Sequence, residues 1–330
     1  MRGRQAKRIQ GISPFYVMEL LDRAKQLEAQ GKDVIHMEIG EPDFATPETI
    51  VDAGVKHILT GEVKYTPAAG LPELREKIAR FYQQRYGVSV AKERIFVTPG
   101  ASGAFLLALG VSLNPGEELL MADPCYPCNS NFVKFFDGTT KTIAVDAASG
   151  YQLTAECIKQ HWTPATKGAL IASPSNPTGT LITPEALQQA ILTVNALGGC
   201  FYSDEIYHGL VYEQNAATAL EFSDNVFVIN SFSKYFGMTG WRIGWLIVHE
   251  EFIVITEKLA QNIFIATSTH SQFAALAAFD EDTMVELERR RLEFAARRDF
   301  LYDNLLRLGF EIPVKPEGAF YIYANCAKFT

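Results

Sequence analysis

The chain has 330 residues, 48% of them apolar and 21% charged, with a net charge of −8. These are the proportions of a globular protein with a substantial core. The acidic balance argues against nucleic acid or an anionic membrane as the main partner, and no apolar run approaches the ~20 residues of a membrane-spanning helix.

The only basic cluster, Arg2, Arg4, Lys7 and Arg8, is followed by no apolar stretch, so it reads as a solvated tail rather than a targeting signal. Ser13 and Pro14 then open an amphipathic helix with Val17, Leu20, Leu21, Ala24 and Leu27 on one stripe. Between about 90 and 250, short apolar runs alternate with helical patterns. Strands are expected at RIFVTP (94–99), ELLMADP (118–124), TIAVDA (142–147), ALIASP (169–174), CFYSDE (200–205), VFVIN (226–230) and RIGWLIV (242–248). Helices are expected at 102–113 and at 183–199, the latter with Thr183 as N-cap and Pro184 in its first turn. Continuous apolar strands separated by helices imply a mostly parallel sheet covered on both faces. A core helix follows over 263–279 and a charged one over 283–308. FEIP and GAFYIYAN then read as strands of a smaller α+β domain. The expected division is an N-terminal segment (1–45) packing with the small domain, a large domain (46–280) and an incomplete small domain (281–330).

In an open α/β sheet the ligand sits beyond the carboxyl ends of the strands, and polar residues collect there. After RIFV come Gly100, Ala101 and Ser102 at a helix start, where free N–H groups suit an anion. Alone, that is as readily a cap, and it lacks the dinucleotide-binding GxGxxG. After ELLMAD comes Tyr126, a flat ring that could face a ligand or simply pack. Cys125 and Cys128 flank it, but with no second CxxC and no suitably spaced His pair they read as structural, and no metal is expected. Five scattered cysteines (Cys125, Cys128, Cys157, Cys200, Cys326) point to a reducing, cytoplasmic setting. SNPTG (175–179) reads as a turn. Asp204, Glu205, Ile206 and Tyr207 place a carboxylate at a buried strand end, where it needs a partner. Ser231, Ser233, Lys234 and Arg242 close the series. A buried lysine is a Schiff-base nucleophile, and with an Asp partner for a pyridinium nitrogen it forms the constellation that pyridoxal 5′-phosphate (PLP) requires.

With those residues in view, SFSKYFGMTGWRIGW (231–245) resembles the lysine signature of class I/II aminotransferases, aspartate aminotransferase-like enzymes of PLP fold type I. GEPDF (40–44), KYTPAAGLPELREKIA (64–79), SNPTG, DEIY (204–207) and PEGAFY (316–321) extend the resemblance along nearly the whole chain. It implies a seven-stranded-type sheet between helices and a homodimer. It also implies a ping-pong exchange between an L-amino acid and a 2-oxo acid, with glutamate/2-oxoglutarate as one pair. Lys234 would hold PLP and afterwards carry the proton. Asp204 would pair with the pyridine N–H, while Tyr207 and Asn176 would bond the ring's 3′ oxygen and Tyr126 would stack on the ring. Arg242, Ser231, Ser102 and the Ala101 N–H would hold the phosphate, with Ser233 as a neighbour. Tyr65 would reach the phosphate in the other subunit, and Gly40 and Asn176 would lie at the substrate.

The family carries a carboxylate-binding arginine beyond the GAFY strand. No residue up to Thr330 aligns with it, so a truncated form of an ordinary enzyme is expected. The alternatives are a PLP-dependent β-lyase on the same scaffold and a catalytically impaired or regulatory PLP-binding module. The short N-terminus leaves too little for a DNA-binding head.

Overall fold

The computed structural model describes residues 6–329; of the basic cluster, Arg2 and Arg4 lie outside the described residues. Lys7 and Arg8 form an exposed 3-10 turn in which Arg8 pairs with Asp137 at 3.0 Å. In chain order come α1 (Tyr16–Glu28), α2 (Glu48–Leu59), α3 (Pro72–Tyr86), β1 (Ile95–Thr98), α4 (Gly100–Ser112), β2 (Glu118–Asp123), α5 (Pro127–Phe135), β3 (Thr139–Ala144) and α6 (Ala155–His161). They are followed by β4 (Thr166–Ala172), α7 (Pro184–Ala196), β5 (Cys200–Asp204), β6 (Phe227–Ser231), β7 (Gly244–Ile247), α8 (Ile253–Ile263), α9 (Thr269–Leu276) and α10 (Glu281–Leu308).

The strands form one seven-stranded sheet in the order β1-β7-β6-β5-β4-β2-β3. Four neighbouring pairs are parallel, and β7 is antiparallel to both its neighbours. Side chains alternate between two cores, as the pleat requires. Phe201, Val228, Trp245 and Ile247 enter one cluster, whereas Tyr202, Phe227, Ile229 and Leu246 enter the other. Helix α4 is buried among the second cluster, which is why its sequence is apolar all round. Two buried polar groups of the sheet find partners across the layers: Tyr202 lies 2.6 Å from the Ser112 hydroxyl, and Trp245 Nε1 donates to the Tyr82 hydroxyl at 3.2 Å. Thr183 caps α7 as expected, accepting the Ala186 amide at 3.2 Å, with Pro184 in the first turn.

Four expectations need correction. The core helix expected over 263–279 is interrupted: α8 ends at Ile263, Ile265 turns left-handed at φ +64°, and α9 spans only Thr269–Leu276. β3 begins at Thr139, three residues before the apolar centre of its sequence suggests, because it is an edge strand whose first half is polar. FEIP and GAFYIYAN do not form strands. No strand of the sheet lies beside them, and only isolated bridges form, Val211 with Gly318 and Glu311 with Asn325. Instead the 316–321 segment is a strap across the sheet domain: the Glu317 and Gly318 amides donate to the Gly179 carbonyl, and the Ala319 amide to that of Leu210. The stripe of α1 is only partly sheltered, with Ala24 buried and Leu20 56% exposed. The chain is better anchored further on, where Asp43 pairs with Arg297 of α10 at 2.9 Å and the Ala45 carbonyl accepts from Arg290.

Candidate active site

Strand direction explains why distant residues meet. β4, β5, β6 and β1 all end at one sheet edge. β7 runs the other way, so its start lies at that same edge, with Gly244 opposite both Ser231 of β6 and Thr98 of β1. Arg242, two residues before β7, is thereby delivered to the first turn of α4, which begins at Gly100. A Cβ at Gly100 would lie 2.6 Å from Arg242 Nη2, so only glycine lets the guanidinium lie against the helix start. Gly244 permits a second close approach, since its Cβ would meet the Ala101 amide nitrogen at 3.0 Å. Arg242 itself adopts φ +53°, a left-handed conformation that costs a non-glycine residue about 1 kcal/mol or more.

Gly100, Ala101 and Ser102 make up the first turn of α4, whose N-cap Pro99 supplies no side-chain acceptor. Beside them, buried Ser231 Oγ accepts the Ser233 amide at 3.1 Å and stands 2.9 Å from the Ser233 hydroxyl. A helix N-terminus, two hydroxyls and a guanidinium make a cradle for a phosphate.

Lys234 follows β6 by three residues, and its ammonium donates to the Gly40 carbonyl. Burial is the main force on its pKa, pulling it down from 10.5 to about 8, while the nearby Glu41 and Asp204 carboxylates oppose and Arg242 assists. Asp204, at the end of β5, is 6% exposed and accepts a 3.3 Å bond from the Ile206 amide. Burial lifts its pKa to about 7, against the opposing pull of that amide and of Lys234. Among the described residues neither Lys234 nor Asp204 forms a salt bridge. A buried carboxylate so sparsely partnered accommodates a protonated ring nitrogen, and a buried amine near neutrality suits a carbonyl carbon. With the phosphate cradle beside them, the residues present fit PLP.

Tyr207, in the turn three residues beyond Asp204, is buried and its hydroxyl lies 2.7 Å from that of Tyr321. Asn176, past the end of β4, donates to the same Tyr321 oxygen at 3.3 Å. Tyr126 precedes α5, with its ring edge-on to Phe15 at 5.8 Å. Burial raises its hydroxyl above the usual phenol range. Cys125 is pushed up to about 11 and Cys128 also upward, both by burial, so neither thiol is primed for redox chemistry near neutrality. A cavity of ≈ 630 Å³ opens beside the cradle, lined by Glu41, Phe44, Trp241, Arg242, Ser268 and His270 among others.

The fold therefore brings Lys234, Asp204, Tyr207, Asn176, Gly40, Tyr126, Ala101, Ser102, Ser231 and Arg242 to one edge. Tyr65 stands apart, 82% exposed. Tyr321 joins these residues although, in the sequence, it stands out only as part of the PEGAFY motif. A Cβ at Gly40 would collide with its hydroxyl, so the glycine of GEPDF and the tyrosine of PEGAFY are fitted to each other.

A family model described as Aminotransferase class I and II matches residues 32–329. The (5-formylfuran-3-yl)methyl phosphate transaminase of Methanocaldococcus jannaschii is 40% identical over 98% of this chain and 85% of that protein. The valine–pyruvate aminotransferase of Mycobacterium tuberculosis is 36% identical over 97% of this chain and 83% of that one. Among solved structures, the aspartate aminotransferase from Thermus thermophilus with maleate superposes with a TM-score of 0.95 at 31% identity, covering 100% of this chain and 87% of that one.

Proposed function

The chain belongs to the aminotransferase class I and II family, and from that premise we propose that it works in two stages: an L-amino acid leaves as its 2-oxo acid before a second 2-oxo acid enters and is aminated, with glutamate and 2-oxoglutarate as one pair. It is a transaminase, and its cofactor is PLP, as for the family. Bound PLP supplies an electron sink that acidifies the bond at the amino acid's α-carbon.

The protein's part is to hold and to time. Lys234, with its pKa drawn down to about 8 by burial, is a nucleophile and proton carrier that works near neutrality. Asp204 offers its carboxylate to the protonated ring nitrogen, and the pairing restores the ionised form that burial disfavours. Arg242, Ser231, Ser102 and the Ala101 amide grip the phosphate, with Ser233 buttressing Ser231. Tyr207 and Asn176 address the ring oxygen, and Tyr126 covers a ring face. Gly40 and Asn176 border the substrate.

Exposed Tyr65 completes the phosphate site of a second copy in a homodimer. The chain divides into residues 1–45, 46–280 and 281–330. The setting is the reducing cytoplasm, supported by five free cysteines. Among the described residues no helix is long and apolar enough to cross a membrane.

The observation that carries this reading is the pair Lys234 and Asp204: opposite charges at the ends of adjacent parallel strands, both pushed by burial toward their neutral forms. The test is to mix the PLP-loaded enzyme with a panel of amino acids and follow the cofactor's visible absorbance. Glutamate should bleach it and 2-oxoglutarate restore it. No change with any amino acid would overturn the reading. Release of pyruvate and ammonia from cystathionine without an oxo-acid acceptor would identify a β-lyase instead.

A further inference from the structure

Tyr207 and Asn176, from the ends of two neighbouring strands, converge on one oxygen, the hydroxyl of Tyr321, at 2.7 and 3.3 Å. The strap that carries Tyr321 is firmly held. Besides the backbone bonds to Gly179 and Leu210, the Tyr212 hydroxyl donates to the Ala319 carbonyl. Ala319 adopts φ +56°, which turns the chain so that Phe320 and Tyr321 face the site. Lys234 Nζ lies 5.8 Å from the Phe320 ring centroid, and the rings of Tyr207 and Tyr321 meet edge-on at 5.7 Å.

The hydrogen-bond directions follow from the donor inventory. The Asn176 amide donates to the Tyr321 oxygen. A phenol oxygen that receives a proton becomes a stronger donor itself, so the favoured arrangement sends the Tyr321 proton to the Tyr207 oxygen. That leaves the Tyr207 proton free for a third acceptor. Asp204, Tyr126 and Tyr321 all face Tyr207, and none of them is a cation.

We propose that Tyr321 is a positioning residue: by donating to Tyr207, it turns that phenol's proton toward the cofactor's ring oxygen and makes Tyr207 the stronger donor. This rests on the assignment of Tyr207 to that oxygen. With PLP held there, a stronger Tyr207 donor would draw charge from the ring oxygen and so lower the pH at which the cofactor's visible absorbance changes. The strength of the Tyr321–Tyr207 bond therefore sets the pH at which the bound cofactor titrates.

The experiment compares the PLP-loaded wild type with Tyr321→Phe, which keeps the ring and removes the hydroxyl. The midpoint of the visible absorbance change is measured between acid and alkaline pH. Tyr323→Phe serves as the control, since Tyr323 lies just beyond the strap but is exposed and packs on Tyr151. Tyr321→Phe should raise the midpoint by about half a unit to one unit, with Tyr323→Phe unchanged. An unchanged midpoint in Tyr321→Phe would make Tyr321 a packing residue only. A lowered midpoint would mean that Tyr321 takes the Tyr207 proton, the reverse of the proposal. A wild-type visible band that does not change with pH would overturn the proposal, and the absence of any visible band would overturn the assignment of Lys234 itself.

Discussion

Asp204 and Glu205 are neighbours in sequence, both buried, and both pushed upward in pKa by desolvation, to about 7 and about 8. Their surroundings differ. Glu205 is heavily furnished: Thr218 Oγ1 reaches both carboxyl oxygens at 2.9 Å, the Ala219 amide donates at 2.9 Å and Ser203 Oγ at 3.1 Å. His208, which burial keeps neutral at a pKa of about 3, stands 3.4 Å away. Glu205 thus pins the 218–219 turn to the end of β5. Asp204, on the other face of the chain, accepts one backbone amide at 3.3 Å. Burial alone does not separate a scaffold carboxylate from a working one. The number of donors the protein supplies does, because a group left with few is arranged for a partner that comes from outside.

The widest separation between the two faces comes from substitutions on each. On the site face, Lys234→Ala should lower turnover by about a thousandfold or more while PLP still binds through Arg242; a steady-state transamination assay with near-normal rates would break the account. Asp204→Asn should lower turnover by about a hundredfold and loosen PLP, because an unprotonated ring nitrogen is a poor sink. In cofactor-stripped protein near pH 4.5, where the buried carboxyl is protonated, its effect on folding should be small. Glu205→Ala should do the reverse. Orphaning the Thr218, Ala219 and Ser203 donors should cost about 3 kcal/mol of unfolding free energy in urea titration, with activity per folded molecule nearly intact. If Glu205→Ala abolished activity in well-folded protein, the division between faces would fail.

A pH series sharpens the same contrast. Asp204 binds its proton more tightly in the folded protein than in the unfolded chain, since its pKa rises from 3.8 to about 7. In cofactor-stripped protein its contribution to stability is therefore fully present below about pH 4 and is lost as pH rises through 7. Between pH 4.5 and 8 the stability of the wild type should fall relative to Asp204→Asn by on the order of 2 kcal/mol. A constant difference between the two curves would show that Asp204 is not desolvated as described. Tyr65→Phe should have the smallest effect, a roughly two- to fivefold weaker hold on PLP if a second copy's phosphate is its partner. No change would remove Tyr65 from the shared site.

Much of this was legible in the chain. Six of the seven strands were visible because each is largely buried and therefore continuously apolar. β3 was misplaced where its edge position frees it from that rule: Thr139 and Thr140 pair with β2 through backbone alone. Strand direction was not legible, since a run such as GWLI carries no mark of polarity, yet the reversal of β7 is what brings Arg242 to Gly100. GAFYIYAN has the aromatic content of a strand but pairs only through isolated bridges at Gly318 and Asn325. Lys234, Asp204 and Arg242 stood out as charge at the ends of apolar runs. Tyr321 did not, because its place depends on a strap anchored more than a hundred residues away in sequence, on Leu210 and Gly179.

The most direct test of the central claim is to reduce the PLP-loaded enzyme with borohydride, digest it and locate the pyridoxyl group by peptide mass mapping. The account places it on Lys234, in the peptide containing SFSKYFGMTGWR. A pyridoxyl group on any other lysine, or on none, would contradict it.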